Sequence, residues 1–454
     1  MQKNQSVQLD IESVGINGEG VARPGGVVVF VKGALPGERV NAKIIGVKKN
    51  YCYAILDRES PFVSTQSEMR VNPPCPLFGK CGGCNIMHVN YDEQLRIKRG
   101  LVRDTLKKVG GVDAEVLPTV PSALPLRYRN KMSLPVREEN GSLKIGLFAA
   151  ASHRVVETED CLLQPEWNGE IIRALKVFMI GSKIKGYDES SGNGTVRHLV
   201  VREVENHLYI TVVVTKKIPL NDFAALLKGK VGNFSLWLNV NKRRDNVILG
   251  DKWLKVYGDN ESGEVEGLKA EIHPAGFFQV NDRIRSEIYA AVQDKITEIQ
   301  PDCVIDAYSG AGIMTAMLAK RCKSITGIEI NEQASQSAEK LIRDNNITNM
   351  RAICGDVADH IGAVTRSYEG KSVTVVLDPP RSGCDKSVLE AIISSGAENI
   401  IYVSCAPSTL ARDLGILSPH YEVDSVRPYD MFPQTMNVET LVCLSQKSLT
   451  DISA

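Results

Sequence analysis

The chain has no apolar run long enough to cross a bilayer, and its start, Met-Gln-Lys-Asn-Gln-Ser, leads into alternating strand-like positions rather than an apolar signal core. A membrane protein or a secreted one is therefore not expected; the expected location is the cytoplasm. Eleven cysteines without a secretion signal argue against a disulfide framework and for a reduced protein. Net charge is also missing, since 54 Lys and Arg balance 54 Asp and Glu, so global charge gives no sign of a nucleic-acid partner. Local charge does. Lys32, Arg39, Lys43, Lys48 and Lys49 face only Glu38; Arg96 to Lys108 carries six basic residues against Asp104; Lys242-Arg243-Arg244 follows an expected strand. Such runs are commonly solvated faces, but three in a neutral chain hint at a polyanion. A complete G-x-G-x-x-G is absent too, so no pyrophosphate cradle is expected. At 454 residues, 43% hydrophobic and 24% charged, the chain should hold two to four soluble domains.

Residues 1–59 read as a small all-β module. Val7, Leu9 and Ile11 alternate with polar residues, and glycines punctuate short strands at Val27–Val31, Arg39–Val47 and Tyr51–Leu56. That texture suggests a small barrel of the OB type, which binds oligonucleotides on one face. Residues 60–270 read as a β-rich α+β domain, entered through Asn72-Pro73-Pro74. Cys75, Cys81 and Cys84 follow at C-x5-C-x2-C spacing, with Gly82-Gly83 allowing a tight wrap. Cys161 is the best candidate for a fourth ligand. Four cysteines suit tetrahedral zinc or an iron–sulfur cluster, and one short run plus one distant cysteine leans toward 4Fe–4S. The C-x3-C-x2-C of radical chemistry is not present. Residues 91–109 predict an amphipathic helix with Leu95, Val102, Leu106 and Val109 on its apolar stripe and basic residues opposite. Tyr128, between Arg127, Arg129 and Lys131, is placed either to stack on a base or on a polar strand face.

From residue 271 to 454 the texture changes to alternating strand and helix, the pattern of a doubly wound, Rossmann-like sheet. A buried strand ends in Asp306-Ala307-Tyr308-Ser309-Gly310-Ala311-Gly312, and a second ends near Glu329, where a carboxylate can hold both hydroxyls of a ribose. The looser glycine spacing fits S-adenosylmethionine better than a dinucleotide. Asp356 follows the third strand, either beside an adenine or in a plain turn. The fourth ends in Asp378-Pro379-Pro380-Arg381, and the fifth delivers Cys405 to the sheet's C-terminal edge, ahead of a helix expected from Ser408. Such a cysteine is either core filler or a nucleophile whose thiolate the helix N-terminus favours.

These motifs have a familiar order. Gly15-x-x-Gly18-x-Gly20-Val-Ala, followed by Val29-Phe-Val-x-Gly-Ala-Leu-Pro-Gly-Glu38, resembles a TRAM domain, which implies RNA binding. The whole chain resembles the RNA uracil-5-methyltransferase family. Its 23S rRNA branch also carries a TRAM domain, the C-x5-C-x2-C…C set, and Asp-Pro-Pro-Arg, Ser-Cys-x-Pro and Val-Glu-Thr in this order. The resemblance implies a monomeric class I methyltransferase acting on 23S rRNA, with tRNA as the alternative substrate and a non-catalytic RNA-binding protein as the remote one. No DNA partner is implied, since DNA cytosine-5 enzymes resemble Pro-Cys-Gln at the nucleophile. It further implies Cys405 as nucleophile, Glu439 as base, Gln279, Tyr308, Glu329 and Asp378 as the seat of S-adenosylmethionine, and Cys75, Cys81, Cys84 and Cys161 as ligands of a 4Fe–4S cluster. One departure stands out: the family's Asn after the nucleophile is Ala406 here.

Overall fold

Glycine-punctuated alternation builds six N-terminal strands: β1 (Ser6–Asp10), β2 (Ser13–Val14), β3 (Gly20–Ala22), β4 (Val28–Lys32), β5 (Arg39–Val47) and β6 (Tyr51–Leu56). They form one sheet in the order β1-β5-β6-β4-β3-β2 around Leu9, Val29, Val31, Val40 and Ile44. The computed structural model describes residues 1–63, 66–139, 141–258 and 262–448. Gly20 is needed for close packing: a Cβ there would lie 2.8 Å from the carbonyl oxygen of Ala34.

Helix α1 (Tyr91–Thr105) opens on an Asn90 cap, whose side chain accepts from the Glu93 N–H at 3.0 Å. The expected apolar stripe is corrected in two places. The buried positions are Gln94, Lys98, Val102 and Leu106, spaced i, i+4. Val109 is 58% exposed because residues 106–110 widen into a π turn, which rotates the tail off the stripe. Lys98 and Gln94 are internal because they have polar partners near the chain's other end, described below.

The central region holds β7 (Lys131–Glu139), β8 (Ser142–Phe148), β9 (Val155–Glu157), α2 (Trp167–Gly181), β10 (Val196–Val204), β11 (His207–Val214), α3 (Asn221–Leu227), β12 (Asn233–Val240) and β13 (Lys252–Tyr257). Its seven strands run β13-β12-β11-β10-β7-β8-β9. Ile171, Leu175 and Phe178 of α2 and Phe223 and Leu227 of α3 pack with Leu199, Val201, Ile210 and Leu236. Tyr128 is no stacking platform. It is buried, and its hydroxyl donates to the Pro433 carbonyl at 3.2 Å.

The last region comprises the hairpin β14 (Ser262–Val265) and β15 (Leu268–Glu271), then α4 (Asp282–Ile299), β16 (Cys303–Ala307), α5 (Ile313–Ala319), β17 (Ser324–Glu329), α6 (Glu332–Asp344), β18 (Met350–Cys354) and α7 (Val357–Arg366). There follow β19 (Val373–Leu377), α8 (Lys386–Ser395), β20 (Asn399–Ser404), α9 (Pro407–Leu417), β21 (Tyr421–Tyr429) and β22 (Glu439–Gln446). The sheet order is β18-β17-β16-β19-β20-β22-β21, with β22 antiparallel between β20 and β21. β16 pairs in parallel with both β17 and β19, so the chain reverses its winding there. Open α/β sheets bind ligands at the crevice this reversal leaves. Val102, Leu106, Val112 and Val116 join the core on one face, which ties α1 to this sheet. Among the described residues no helix is long and apolar enough to cross a membrane.

Candidate active site

The turn after β16 is shaped by backbone that side chains rarely adopt. Tyr308 has φ +69°, followed by Gly310 at +54° and Gly312 at +81°. A non-glycine residue in the left-handed region is held there by its surroundings, and such residues cluster at functional sites. Glu329, at the end of β17, braces this turn: its carboxylate accepts from Gly310 N–H at 2.9 Å and from Asn331 N–H at 2.7 Å. Beneath the turn, burial pushes the Asp306 carboxyl up to about 7 while Thr315 donates to one of its oxygens. The other oxygen is buried without a partner. Asp356, left open by the sequence, caps α7 by accepting from Ala358 N–H at 2.8 Å. A narrow cavity alongside is lined by Gln279, Arg285, Tyr289, Met314, Asp378 and Val403. Burial raises Asp378 to about 7 as well.

The strand register brings the remaining groups to this edge. Ser404 pairs with Thr440 across β20 and β22, so the next step sets Cys405 opposite Glu439. Both groups feel Asp378 and Arg381, which adds the arginine of Asp-Pro-Pro-Arg to the constellation. Glu439 is 2% exposed, and one of its carboxylate oxygens is buried with no partner. Burial holds its proton affinity well above the usual carboxylate range; Asp378 reinforces this and Arg381 opposes it. Burial also pushes the Cys405 thiol up to about 11, with the Glu439 charge adding to it. Against the thiolate expected from a helix N-terminus stand burial of the thiol and a neighbouring carboxylate, both of which raise it. Ala406 offers no side-chain cap to that helix, and Pro407 occupies its first turn. Alkylation of Cys405 by iodoacetamide in RNA-free protein should therefore rise about tenfold per pH unit from about pH 7 to 9, since the thiolate fraction climbs toward a pKa of about 11. Peptide-resolved mass spectrometry would read it, and a rate that levels off near pH 7 would contradict the raised thiol.

The segment leading into Glu439 is held almost residue by residue. Asp430 forms a fully buried ion pair with Lys98 and accepts from the Tyr91 hydroxyl at 2.8 Å. Lys98 also donates to the Phe432 carbonyl at 3.0 Å. Gln434, at φ +69°, exchanges two bonds with Gln94: its N–H donates to Gln94 Oε1 and its Oε1 accepts from Gln94 Nε2, each at 3.0 Å. Its carbonyl accepts from Asn85 and Ile86 N–H, and Asn85 Oδ1 accepts from Met436 N–H at 2.9 Å. Sequence reasoning missed this frame because its partners are about as far apart in the chain as the chain allows. The only local sign was two polar residues, Gln94 and Lys98, at the spacing of a buried stripe.

Cys75, Cys81, Cys84 and Cys161 lie in a separate pocket that ends one residue before Asn85. Cys75, Cys84 and Cys161 pack with Phe78, Met87, Leu126, Tyr128 and Leu163. The thiols act on one another: burial raises Cys84 to about 12, and Cys161, Cys81 and Cys75 add to it. Among the described residues no three His, Cys, Asp or Glu side chains stand close enough to hold a metal ion. A second feature absent from the sequence reading is an aromatic group on the N-terminal sheet, Phe30, Tyr51 and Tyr53, with ring centroids 5.4–5.8 Å apart. Its signal was the two-residue period placing Tyr51 and Tyr53 on one face.

A sheet of this order, with a braced turn after its first strand and a cavity at its reversal point, defines the C-terminal third as a class I methyltransferase. The relatives narrow this. Residues 261–447 match the family described as tRNA (Uracil-5-)-methyltransferase, and residues 2–56 match the TRAM domain. An uncharacterized RNA methyltransferase of Clostridium tetani is 37% identical over 98% of this chain and 97% of its own length. One of Halalkalibacterium halodurans is 36% identical over 99% and 98%. The chain belongs to the RNA uracil-5-methyltransferase family. Among solved structures, the tRNA (uracil-54, C5)-methyltransferase of Pyrococcus abyssi, in complex with S-adenosyl-L-homocysteine, superposes with a TM-score of 0.76 at 26% identity, covering 96% of this chain and 99% of its own.

Proposed function

We propose that this protein methylates C5 of a specific uridine in 23S rRNA, with S-adenosylmethionine as donor and Cys405 as nucleophile. The observation that carries the chemistry is the pairing of Cys405 with a buried, half-unpartnered Glu439 at the C-terminal edge of the sheet. C5 of uracil is a poor nucleophile. Addition of the Cys405 sulfur to C6 gives an enolate with carbanion character at C5, which can accept a methyl group. S-adenosylmethionine supplies that methyl from a sulfonium. Gln279, Tyr308, Glu329 and Asp378 line or brace the place for it. Glu439 then takes the C5 proton, and the C6–S bond breaks to release product and Cys405 as its thiolate. The target base leaves its stack to reach this edge. Phe30, Tyr51 and Tyr53 provide a stacking surface for neighbouring bases in the TRAM domain.

The four cysteines fit a 4Fe–4S cluster in donor type, and three of them, Cys75, Cys84 and Cys161, share a largely apolar pocket. Bound there, it would hold the Cys75–Cys84 loop to Cys161, with no step of the methyl transfer assigned to it.

Glu439→Gln should accumulate a covalent enzyme–RNA adduct on denaturing gels while turnover falls roughly 10²–10⁴-fold. A freely turning-over variant would refute the base role. A second reading moves the same chemistry to tRNA, favoured by the likeness to the Pyrococcus abyssi enzyme. Mapping 5-methyluridine in rRNA and tRNA from cells with and without the gene separates the two: loss from 23S rRNA supports the first, and loss from tRNA alone replaces it.

A further inference from the structure

Three cations crowd the ends of β7 and β10 without an ion-pair partner. Arg202 and Lys131 face each other in the strand register. Arg129 lies two residues before Lys131, and its charge acts on it. Among the described residues, none of the three makes a salt bridge. Arg202 is 2% exposed, its Nε has no partner, and its only side-chain hydrogen bond is a long one, 3.5 Å, to the Phe278 carbonyl. The Arg129 Nε is likewise buried and unpartnered. Asp282, whose charge acts on Arg202, accepts from Asn130 and Arg285 through one oxygen and makes no hydrogen bond to Arg202 among the described residues. Arg129 faces the Cys84 and Cys161 sulfurs, so a cluster held there would give it a counter-charge, and the unpaired cations of this place are Lys131 and Arg202. Burial and the two arginines push the Lys131 ammonium down to about 8. Gathered like charges in a low-dielectric position are costly, and proteins hold them where an anion will arrive.

The position says which anion. The Arg202 guanidinium stacks over the Phe278 ring at 5.3 Å, and Asn130 Nδ2 donates to the Gln279 carbonyl at 2.9 Å. Gln279 is a wall of the active-site cavity. Phe277, two residues before Gln279, is 79% exposed, an unusual setting for a large aromatic. A seat for negative charge thus lies one residue from the cavity and beside a ring free to stack on a base.

We propose that Lys131, with the buried Arg202 charge behind it, forms a phosphodiester seat that grips the RNA backbone next to the extruded uridine, with Phe277 stacking on the adjacent base. This rests on the RNA uracil-methylation reading above. The seat binds phosphate oxygens and reads no base edge, so it fixes register while sequence is read elsewhere. Its cations repel one another in the free protein and are neutralised on binding.

The test uses the full-length protein and a fluorescein-labelled single-stranded oligouridine. For Lys131→Gln, affinity should drop roughly three- to tenfold near 0.1 M salt, and the slope of log K against log salt should fall by about one. Lys131→Arg should restore both. Removing an unpaired cation should leave the melting temperature unchanged or raise it. An unchanged salt slope overturns the seat, and so does a lowered melting temperature, which would make the charge structural. Phe277→Ala, at an exposed position that threatens no fold, should weaken binding with no change in slope; wild-type affinity would remove the stacking part. The methylation reading is scored separately, by trapping of 5-fluorouridine RNA on Cys405. Failure to trap with an intact Lys131 salt effect rejects that reading and keeps the seat, and the reverse pattern rejects the seat alone.

Discussion

Cys405→Ser is expected to lower methyl transfer by about 10⁴-fold or more and to abolish the covalent adduct with 5-fluorouridine RNA. A serine hydroxyl is far less nucleophilic toward C6 of a pyrimidine and far harder to ionise, and the surroundings already oppose the anion. Burial raises even the thiol to about 11. S-adenosylmethionine affinity should stay nearly as it was, because the residues proposed to receive it stand on other strands: Tyr308 after β16, Glu329 on β17, Asp378 after β19. Isothermal titration gives that measurement, and lost donor binding would count against the assignment. The sign of the pH effect is common to both groups. Cys405 must lose a proton to attack and Glu439 must be ionised to act as base, and both hold their protons more tightly than usual. Activity should therefore climb from about pH 6 upward rather than peak near neutrality.

The largest loss of stability is expected from Lys98→Ala. The ammonium is fully buried against Asp430, and burial pulls it toward the neutral form while Asp430 opposes that. Removing it alone strands a carboxylate in the interior, at a cost of about 3–5 kcal/mol. Lys98→Met with Asp430→Leu should recover much of this, since two apolar groups leave no orphaned charge. Thermal melting followed by circular dichroism would show the single variant well below wild type and the pair closer to it. A single variant that melts like wild type would mean water reaches Asp430. The pair should also turn over slowly despite its stability, because Asp430 and Phe432 anchor the segment that carries Glu439.

What the sequence revealed was mostly local. Strand bounds such as Arg39–Val47 and Tyr51–Leu56 are those of the structure, since each alternates between glycines and turns. The nucleophile motif was legible because Ser-Cys-x-Pro combines a strand end, a turn and a helix start in four residues. Three features were not legible, each for a tertiary reason. Lys98 reads as solvent-facing until Asp430, 332 positions away, supplies its partner. Tyr128 reads either as a ring for stacking on a base or as part of a polar strand face because its neighbours are basic, yet it packs in the cysteine pocket. The protonation of Cys405 depends on Glu439, which only the pairing of β20 with β22 brings alongside.

The frame around Gln434 bears on how the protein is made. Its partners Asn85 and Gln94 leave the ribosome well before residues 430–439, and the Gln94–Gln434 bonds span 340 positions. Contacts of such separation close late, after local ones have formed. A growing chain can thus complete its TRAM domain while Lys98 still lacks its counter-charge. The segment that carries Glu439 is therefore set in place only once β22 docks, after the TRAM sheet has formed.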